Sequence, residues 1–148
     1  RWAYDESLRI PLLAAGPGIP KGKTLDAMVL NIDVAPTILG MAGATLPAGV
    51  QGRSMQPLFT NSRTDWRDSF LYEYFREDWL PGVPDILAVR SRDWKYVEYP
   101  GTKEIGELYD LRKTPLEMHN LVGEADAQPT LMRMKAELKR LCEKTGRK

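Results

Sequence analysis

The sequence predicts an α/β protein whose own share of that fold is α+β. Residues 1–62 read as the end of a larger α/β domain, and residues 63–148 as a small subdomain in which a four-stranded antiparallel sheet packs against one helix. Three observations carry this. Ile10-Pro11-Leu12-Leu13-Ala14-Ala15 is a short continuous apolar run, four runs rich in aromatic and branched residues lie between 70 and 111, and an apolar stripe at helical spacing closes the chain.

The first run is stopped by Gly16-Pro17-Gly18 and has no polar alternation, the pattern of a strand covered on both faces in a mostly parallel sheet. Further on, Asp33 precedes Val34-Ala35-Pro36-Thr37-Ile38-Leu39-Gly40-Met41-Ala42-Gly43. An aspartate ahead of the run, a proline in the first turn and a glycine after the last apolar residue predict a short helix over 34–42, with Asp33 accepting from the first-turn amides. Residues 45–61 carry Pro47, Gly49, Gly52 and Pro57 and read as loop, with one helical turn after Ser54.

The composition changes at Ser69. The segments 70–75, 86–90, 94–99 and 107–111 read as strands, and Ser91-Arg92-Asp93 is short enough to join the middle two as a hairpin. The last element runs from Gln128 to Lys144 with Pro129 in its first turn. Its Leu131, Met134, Leu138 and Leu141 form one stripe, while Lys135, Glu137, Lys139 and Lys144 are left for water, so this helix should lie on one sheet face.

Composition narrows the function. At 148 residues with 43% hydrophobic content the chain can bury a core, and 21 Lys plus Arg against 20 Asp plus Glu give a net charge of +1, which offers no field for nucleic acid. No apolar run approaches the ~20 residues of a membrane-spanning helix, so no membrane partner is expected. The single cysteine, Cys142, has no second thiol for a disulfide and no cluster of histidines for a zinc site. The chain opens at Arg1 without Met or a leader, so any export signal is expected ahead of it.

Several local features invite a site. Gly22-Lys23-Thr24 resembles the end of a phosphate loop, but the glycine required at 17 is Pro17, and Pro20 removes another amide donor. His119, the only histidine, reads as a turn or surface residue, and the pairs Asp5-Glu6 and Glu77-Asp78 read as solvated faces. Tyr72, Tyr74, Phe75 and Trp79 surround Arg76, a set able to hold a sugar ring and an anionic group. Alternation puts Phe70, Tyr72 and Tyr74 on one face, where core packing accounts for them. Arg76 and Trp79, in the loop after the strand, remain as the candidate substrate-binding residues.

The opening Arg1-Trp2-Ala3-Tyr4-Asp5-Glu6-Ser7-Leu8-Arg9-Ile10-Pro11-Leu12-Leu13 resembles a segment of the sulfatase family. The resemblance continues in order through Asp33-Val34-Ala35-Pro36-Thr37, Gly52-Arg53-Ser54-Met55-Gln56-Pro57-Leu58, Ala88-Val89-Arg90 with Trp94-Lys95-Tyr96-Val97, and Glu107-Leu108-Tyr109-Asp110-Leu111 with Pro115, Glu117, Asn120 and Leu121. Two positions depart from the family pattern: Asp5 stands where glutamate is usual, and Thr114 where aspartate precedes Pro115.

The resemblance implies a formylglycine- and calcium-dependent hydrolase of sulfate esters in the alkaline phosphatase superfamily, acting on a sulfated small molecule or glycan. It places the nucleophile, the metal ligands and the active-site lysine ahead of Arg1. The segment by itself is therefore expected to hold no catalytic residue and no cofactor, and to work with the N-terminal catalytic portion of the same protein. Alone, it is expected to self-associate, to exchange strands or to depend on a missing partner segment, because apolar surface is left uncovered. Two other readings stay open from the residues alone, a related phosphonate or phosphodiester hydrolase and a non-catalytic module that binds sulfated glycans.

Overall fold

Branched and aromatic side chains crowd a helix but suit a pleated surface, and the four runs that carry them form one sheet. The computed structural model describes residues 2–60 and 65–146. Its strands are β1 (Ser69–Tyr74), β2 (Ile86–Ser91), β3 (Trp94–Glu98) and β4 (Glu107–Asp110), in the order β1-β2-β3-β4 with every neighbour antiparallel. The turn at Ser91 to Trp94 closes the β2–β3 hairpin, where the Ser91 hydroxyl donates to the Trp94 carbonyl and accepts from its amide.

Period-two alternation gives the sheet two different faces. Leu87, Val89, Tyr96 and Leu108 pack against Leu131, Met134, Leu138 and Leu141 of the long C-terminal helix, Gln128–Thr145. Burying each such side chain contributes about 1.5–3 kcal/mol, so this face is the main store of stability in the sheet unit. The helix ends at Gly146, whose left-handed backbone turns its amide back onto the Cys142 and Glu143 carbonyls.

The second face holds Ile86, Ala88, Val97 and Tyr99, and its cover comes from two separated places in the chain. Leu80 and Val83 arrive from the β1–β2 loop, while Ala3 and Leu8 belong to the N-terminal segment, which includes α1 (Asp5–Leu8). Residues 2–10 thus pack with residues 68–146, and the described residues between 11 and 67 form a second compact unit. The boundary expected at 62/63 lies outside the described residues, as does Arg1 of the opening motif.

In the second unit a 3₁₀ turn, Asn31–Asp33, leads into α2 (Val34–Met41), and Gly43, at φ 65°, ends it with its amide on the Gly40 carbonyl. A single helical turn, α3 (Gln56–Phe59), follows Ser54 as expected, and the C-terminal helix above is α4. The strand expected at Ile10–Ala15 does not form. A strand buried on both faces needs hydrogen-bonded neighbours on both edges, none of the described strands pairs with these residues, and Leu13 is 94% exposed.

Candidate functional site

The loop between β1 and β2 carries both residues singled out from the sequence. Tyr74 and Ile86 pair directly across the last rung of the ladder, and residues 75–85 leave the sheet from there. Asp85 Oδ1 accepts from the Arg76 amide at 2.7 Å, closing the mouth of the loop across nine residues. Within it, the Leu80 amide donates to Glu77 O (2.9 Å) and the Val83 amide to Leu80 O (3.2 Å), two successive turns. Leu80 and Val83 sink into the second sheet face, and Trp79, inside the first turn, is 68% exposed. Phe75 is 62% exposed and Arg76 is exposed beside it. The arrangement places two largely exposed aromatic side chains and a guanidinium on an anchored loop, residue types that suit a ring with one apolar face and an anionic substituent.

A buried charge cluster fixes the N-terminal segment to the same sheet face. Lys95 is 0% exposed, at an inward position of β3 beside Val97, and its ammonium donates to Ala3 O at 2.7 Å. It also lies 2.7 Å from Asp5 Oδ1 and 2.5 Å from Glu117 Oε1, the latter an ion pair without hydrogen-bond geometry. Arg90 Nη2 reaches Asp5 Oδ2 at 2.8 Å, and Glu117 Oε2 accepts from the Asp5 amide at 2.6 Å. Two cations thus face two carboxylates. Glu117 reaches its place with φ 55°, a left-handed conformation that costs about 1–2 kcal/mol. Asp5, read from the sequence as solvated, is largely covered here because Lys95 and Arg90 accompany it. Burial pushes its carboxyl up, yet Arg90 and Lys95 outweigh that and hold it below the ordinary carboxylate range.

Beside this cluster one carboxylate receives three phenols. Tyr99 Oη donates to Glu107 Oε1 at 2.6 Å, Tyr4 Oη to the same oxygen at 3.3 Å, and Tyr109 Oη to Oε2 at 3.0 Å. Burial, and then the hydrogen bond and charge of Glu107, push Tyr99 and Tyr109 far above the ordinary phenol value. A raised acid stays protonated in the fold while the unfolded chain ionises. This contribution to stability is complete below pH ~10 and fades as pH rises above it. Alkaline titration followed by phenolate absorbance is expected to show late-ionising tyrosines, and Glu107→Gln is expected to bring some back toward the ordinary value.

In the second unit, Asp33 is fully buried and organises two sequence motifs. Its carboxylate does not cap α2 as expected. Oδ2 accepts from the Leu30 amide (2.8 Å) and from Arg67 Nη1, while Oδ1 accepts from the Arg53 amide (2.8 Å) and Arg67 Nη2 (2.7 Å). Thr37 Oγ1 donates to Asp33 O (2.6 Å) and accepts from the Met55 amide (2.8 Å), so the 52–55 loop lies against the start of α2. Gly52 is required at that approach, since a Cβ there would sit 1.9 Å from Ile32 O. Arg67 itself stacks 5.0 Å over the Trp66 ring, and Trp66 Nε1 donates to Met28 O at 2.7 Å.

The remaining candidates stay apart. His119 is exposed in the turn region after β4, Gly22-Lys23-Thr24 is an exposed loop, and Cys142 lines the partly buried edge of α4. Among the described residues no three His, Cys, Asp or Glu side chains converge on a possible metal position, so no ligand set for the calcium implied by the resemblance is found there. Sequence reasoning missed Lys95, Glu107, Asp85 and Arg67. The available signal was a charge at an inward strand position, which in Lys95 and Glu107 breaks an otherwise apolar alternation.

Comparison with known proteins agrees with this architecture. N-acetylglucosamine-6-O-sulfatase of Bacteroides thetaiotaomicron is 32% identical over 149 residues, covering 98% of this chain and 26% of the relative. Arylsulfatase K of Canis lupus familiaris is 32% identical over 126 residues, covering 80% and 23%. A protein solved in complex with its substrate D-glucosamine-2-N,6-O-disulfate superposes with a TM-score of 0.80 at 28% identity, over 86% of this chain and 26% of its own. The chain therefore has the sheet-and-helix architecture of the sulfatases, and it spans about a quarter of the length of these relatives. The family described as N-sulphoglucosamine sulphohydrolase, C-terminal, matches residues 1–144, and the chain belongs to it.

Proposed function

We propose that this chain is the C-terminal region of a sulfatase that hydrolyses a sulfate ester on an amino sugar, and that the 75–85 loop contributes Arg76 and Trp79 to the sugar site. The observation that carries the reading is the family match over residues 1–144. Relatives named for N-acetylglucosamine-6-O-sulfatase activity and solved with a sulfated glucosamine support the substrate class. Trp79 would stack on the apolar face of the sugar, and the Arg76 guanidinium would pair with a sulfate or carboxylate through two parallel N–H donors. Formylglycine and calcium would be held by the N-terminal catalytic portion of the same protein. They would supply the nucleophile and the charge neutralisation that sulfate transfer requires.

That portion is also the proposed physical partner. Among the described residues α2 is apolar on every side, and Ile38, on the face away from buried Pro36 and Thr37, is 61% exposed. A helix without a polar face belongs inside a larger core. In the full-length enzyme, Arg76→Ala is expected to raise KM for glucosamine 6-sulfate by about tenfold, the loss of one charge-assisted contact. Trp79→Ala is expected to raise it several-fold. Unchanged KM and kcat in both variants would remove this loop from the substrate site.

A further inference from the structure

We propose that the solvent face of α4 is an exosite for a sulfated glycan chain, holding sugars beyond the one that is hydrolysed; this rests on the substrate class read above. Charge is spread unevenly over this protein. The 18 residues of α4 hold five Lys and Arg against two Glu, whereas the other 130 residues hold sixteen cations and eighteen carboxylates. One helix therefore carries a net +3 in a chain whose net charge is +1. All five cations, Arg133, Lys135, Lys139, Arg140 and Lys144, are exposed, because Leu131, Met134, Leu138 and Leu141 occupy the stripe that faces the sheet. The acids near them are fewer. Glu137 is tied to Ser69 and Arg140, exposed Glu143 lies 3.9 Å from Lys139, and Asp68 acts on Arg140 from outside the helix. Among the described residues Arg133, Lys135 and Lys144 make no ion pair, and Lys135 lies 5.6 Å over the Tyr96 ring.

Helical spacing sorts these cations into two rows. Arg133, Arg140 and Lys144 follow one flank at intervals of two turns and one turn, while Lys135 and Lys139 stand one turn apart on the other. Between the rows lie Met132, 66% exposed, and Ala136, a low apolar strip. At ~1.5 Å per residue, the face from Arg133 to Lys144 is about 16 Å long. A glycan chain with sulfates along its edges fits such a face, its rings over the strip and its anions toward both rows. A lipid surface does not, since the apolar stripe of α4 is already buried against the sheet and Met132 alone of its large apolar residues is exposed. The helix covers one sheet face and the Leu80 and Val83 side chains of the 75–85 loop the other, so the two sites take different sugars of one chain. Holding a polymer at α4 raises its effective concentration at the catalytic portion without touching the reacting sugar. The exosite therefore acts on oligosaccharides and leaves monosaccharides unaffected.

The test uses the full-length enzyme with glucosamine 6-sulfate and with a sulfated oligosaccharide of glucosamine and uronic acid. One variant joins Arg133→Gln, Lys135→Gln, Lys139→Gln and Lys144→Gln, sparing Arg140 because it holds Glu137. This variant is expected to raise KM and Kd for the oligosaccharide by about tenfold, to flatten the salt dependence of that Kd, and to leave kcat and KM for the monosaccharide unchanged. A control joins Lys21→Gln, Lys23→Gln, Arg92→Gln and Lys103→Gln, four exposed cations outside α4, and should keep the oligosaccharide values. Wild-type Kd and KM for the oligosaccharide in the α4 variant would overturn the exosite, and so would an equal loss in the control, by making net charge the operative property. Tighter binding of duplex DNA or of anionic phospholipid vesicles than of the oligosaccharide at the same salt would overturn the choice of partner. Calorimetric binding of the oligosaccharide needs no turnover. A wild-type enzyme that leaves glucosamine 6-sulfate intact would therefore overturn the substrate reading, while a weakened Kd in the α4 variant would still uphold the exosite.

Discussion

Lys95→Met is expected to destabilise the sheet unit by about 3–5 kcal/mol, measured by urea denaturation near neutral pH. Methionine replaces the aliphatic stem but not the ammonium, which touches Ala3 O, Asp5 and Glu117 within 2.7 Å. Asp5 keeps Arg90, whereas Glu117, itself buried, keeps only the Asp5 amide. The cost is therefore that of a buried carboxylate stripped of its cation. Lys95→Met combined with Glu117→Gln should recover a substantial part, because a neutral pair removes the desolvated charge on both sides. A loss below about 1 kcal/mol in the single variant would mean that the cluster is open to water.

The pH dependence has a definite sign. Asp5 is held below the ordinary carboxylate range, so its contribution is complete above pH ~4, the unfolded value, and is lost as pH falls through the lower folded value. Exchange of the amides between Ala3 and Leu8 should rise first under acid, ahead of those in β2 and β3. The segment is attached to the sheet through these charges together with a small apolar contact at Ala3 and Leu8, whereas the strands pair with one another and have α4 behind them.

How much of this was legible follows from the range of each interaction. Strands β1 to β4 and helix α4 were readable because their signals are local: branched and aromatic residues concentrated in short runs such as Ile86–Ser91, a stripe through Leu131, Met134, Leu138 and Leu141, a turn residue between runs. The strand expected at Ile10–Ala15 failed because a continuous apolar run reports what should cover a segment but supplies no partner strand. Asp5 was misread for the same reason, since its cations lie 85 and 90 positions away at Arg90 and Lys95. Of the proposed sugar site, Arg76 and Trp79 were visible as a charge and a ring in a loop. Asp85 was not, because a carboxylate that accepts a backbone amide nine residues back leaves no compositional mark. The ordered motifs Asp33 to Thr37 and Gly52 to Leu58 read as family signatures. The structure gives them a physical cause in one buried carboxylate.

Asp33→Asn is expected to loosen that second unit by about 3–5 kcal/mol, comparable to the loss at Lys95. Each oxygen of the Asp33 carboxylate accepts two donors, one amide and one arm of Arg67. An asparagine in either orientation turns its NH₂ group against two donors and leaves the guanidinium facing a neutral group. Burial alone would raise the Asp33 carboxyl, but Arg67 and the amides of Arg53 and Leu30 hold it low, so this contribution too is present above pH ~4 and lost in acid. The Arg53 amide is the reporter, because its protection from hydrogen exchange depends on the contact between the 52–55 loop and the start of α2. Gly52→Ala should expose the same amide by a different route, forcing the loop off Ile32 O while leaving the carboxylate in place. Arg67→Met joined to Asp33→Asn should restore part of the loss, since the uncompensated cation goes with it. Full protection of the Arg53 amide in Asp33→Asn would show that packing around Thr37 and Met55, and not the carboxylate, holds this loop.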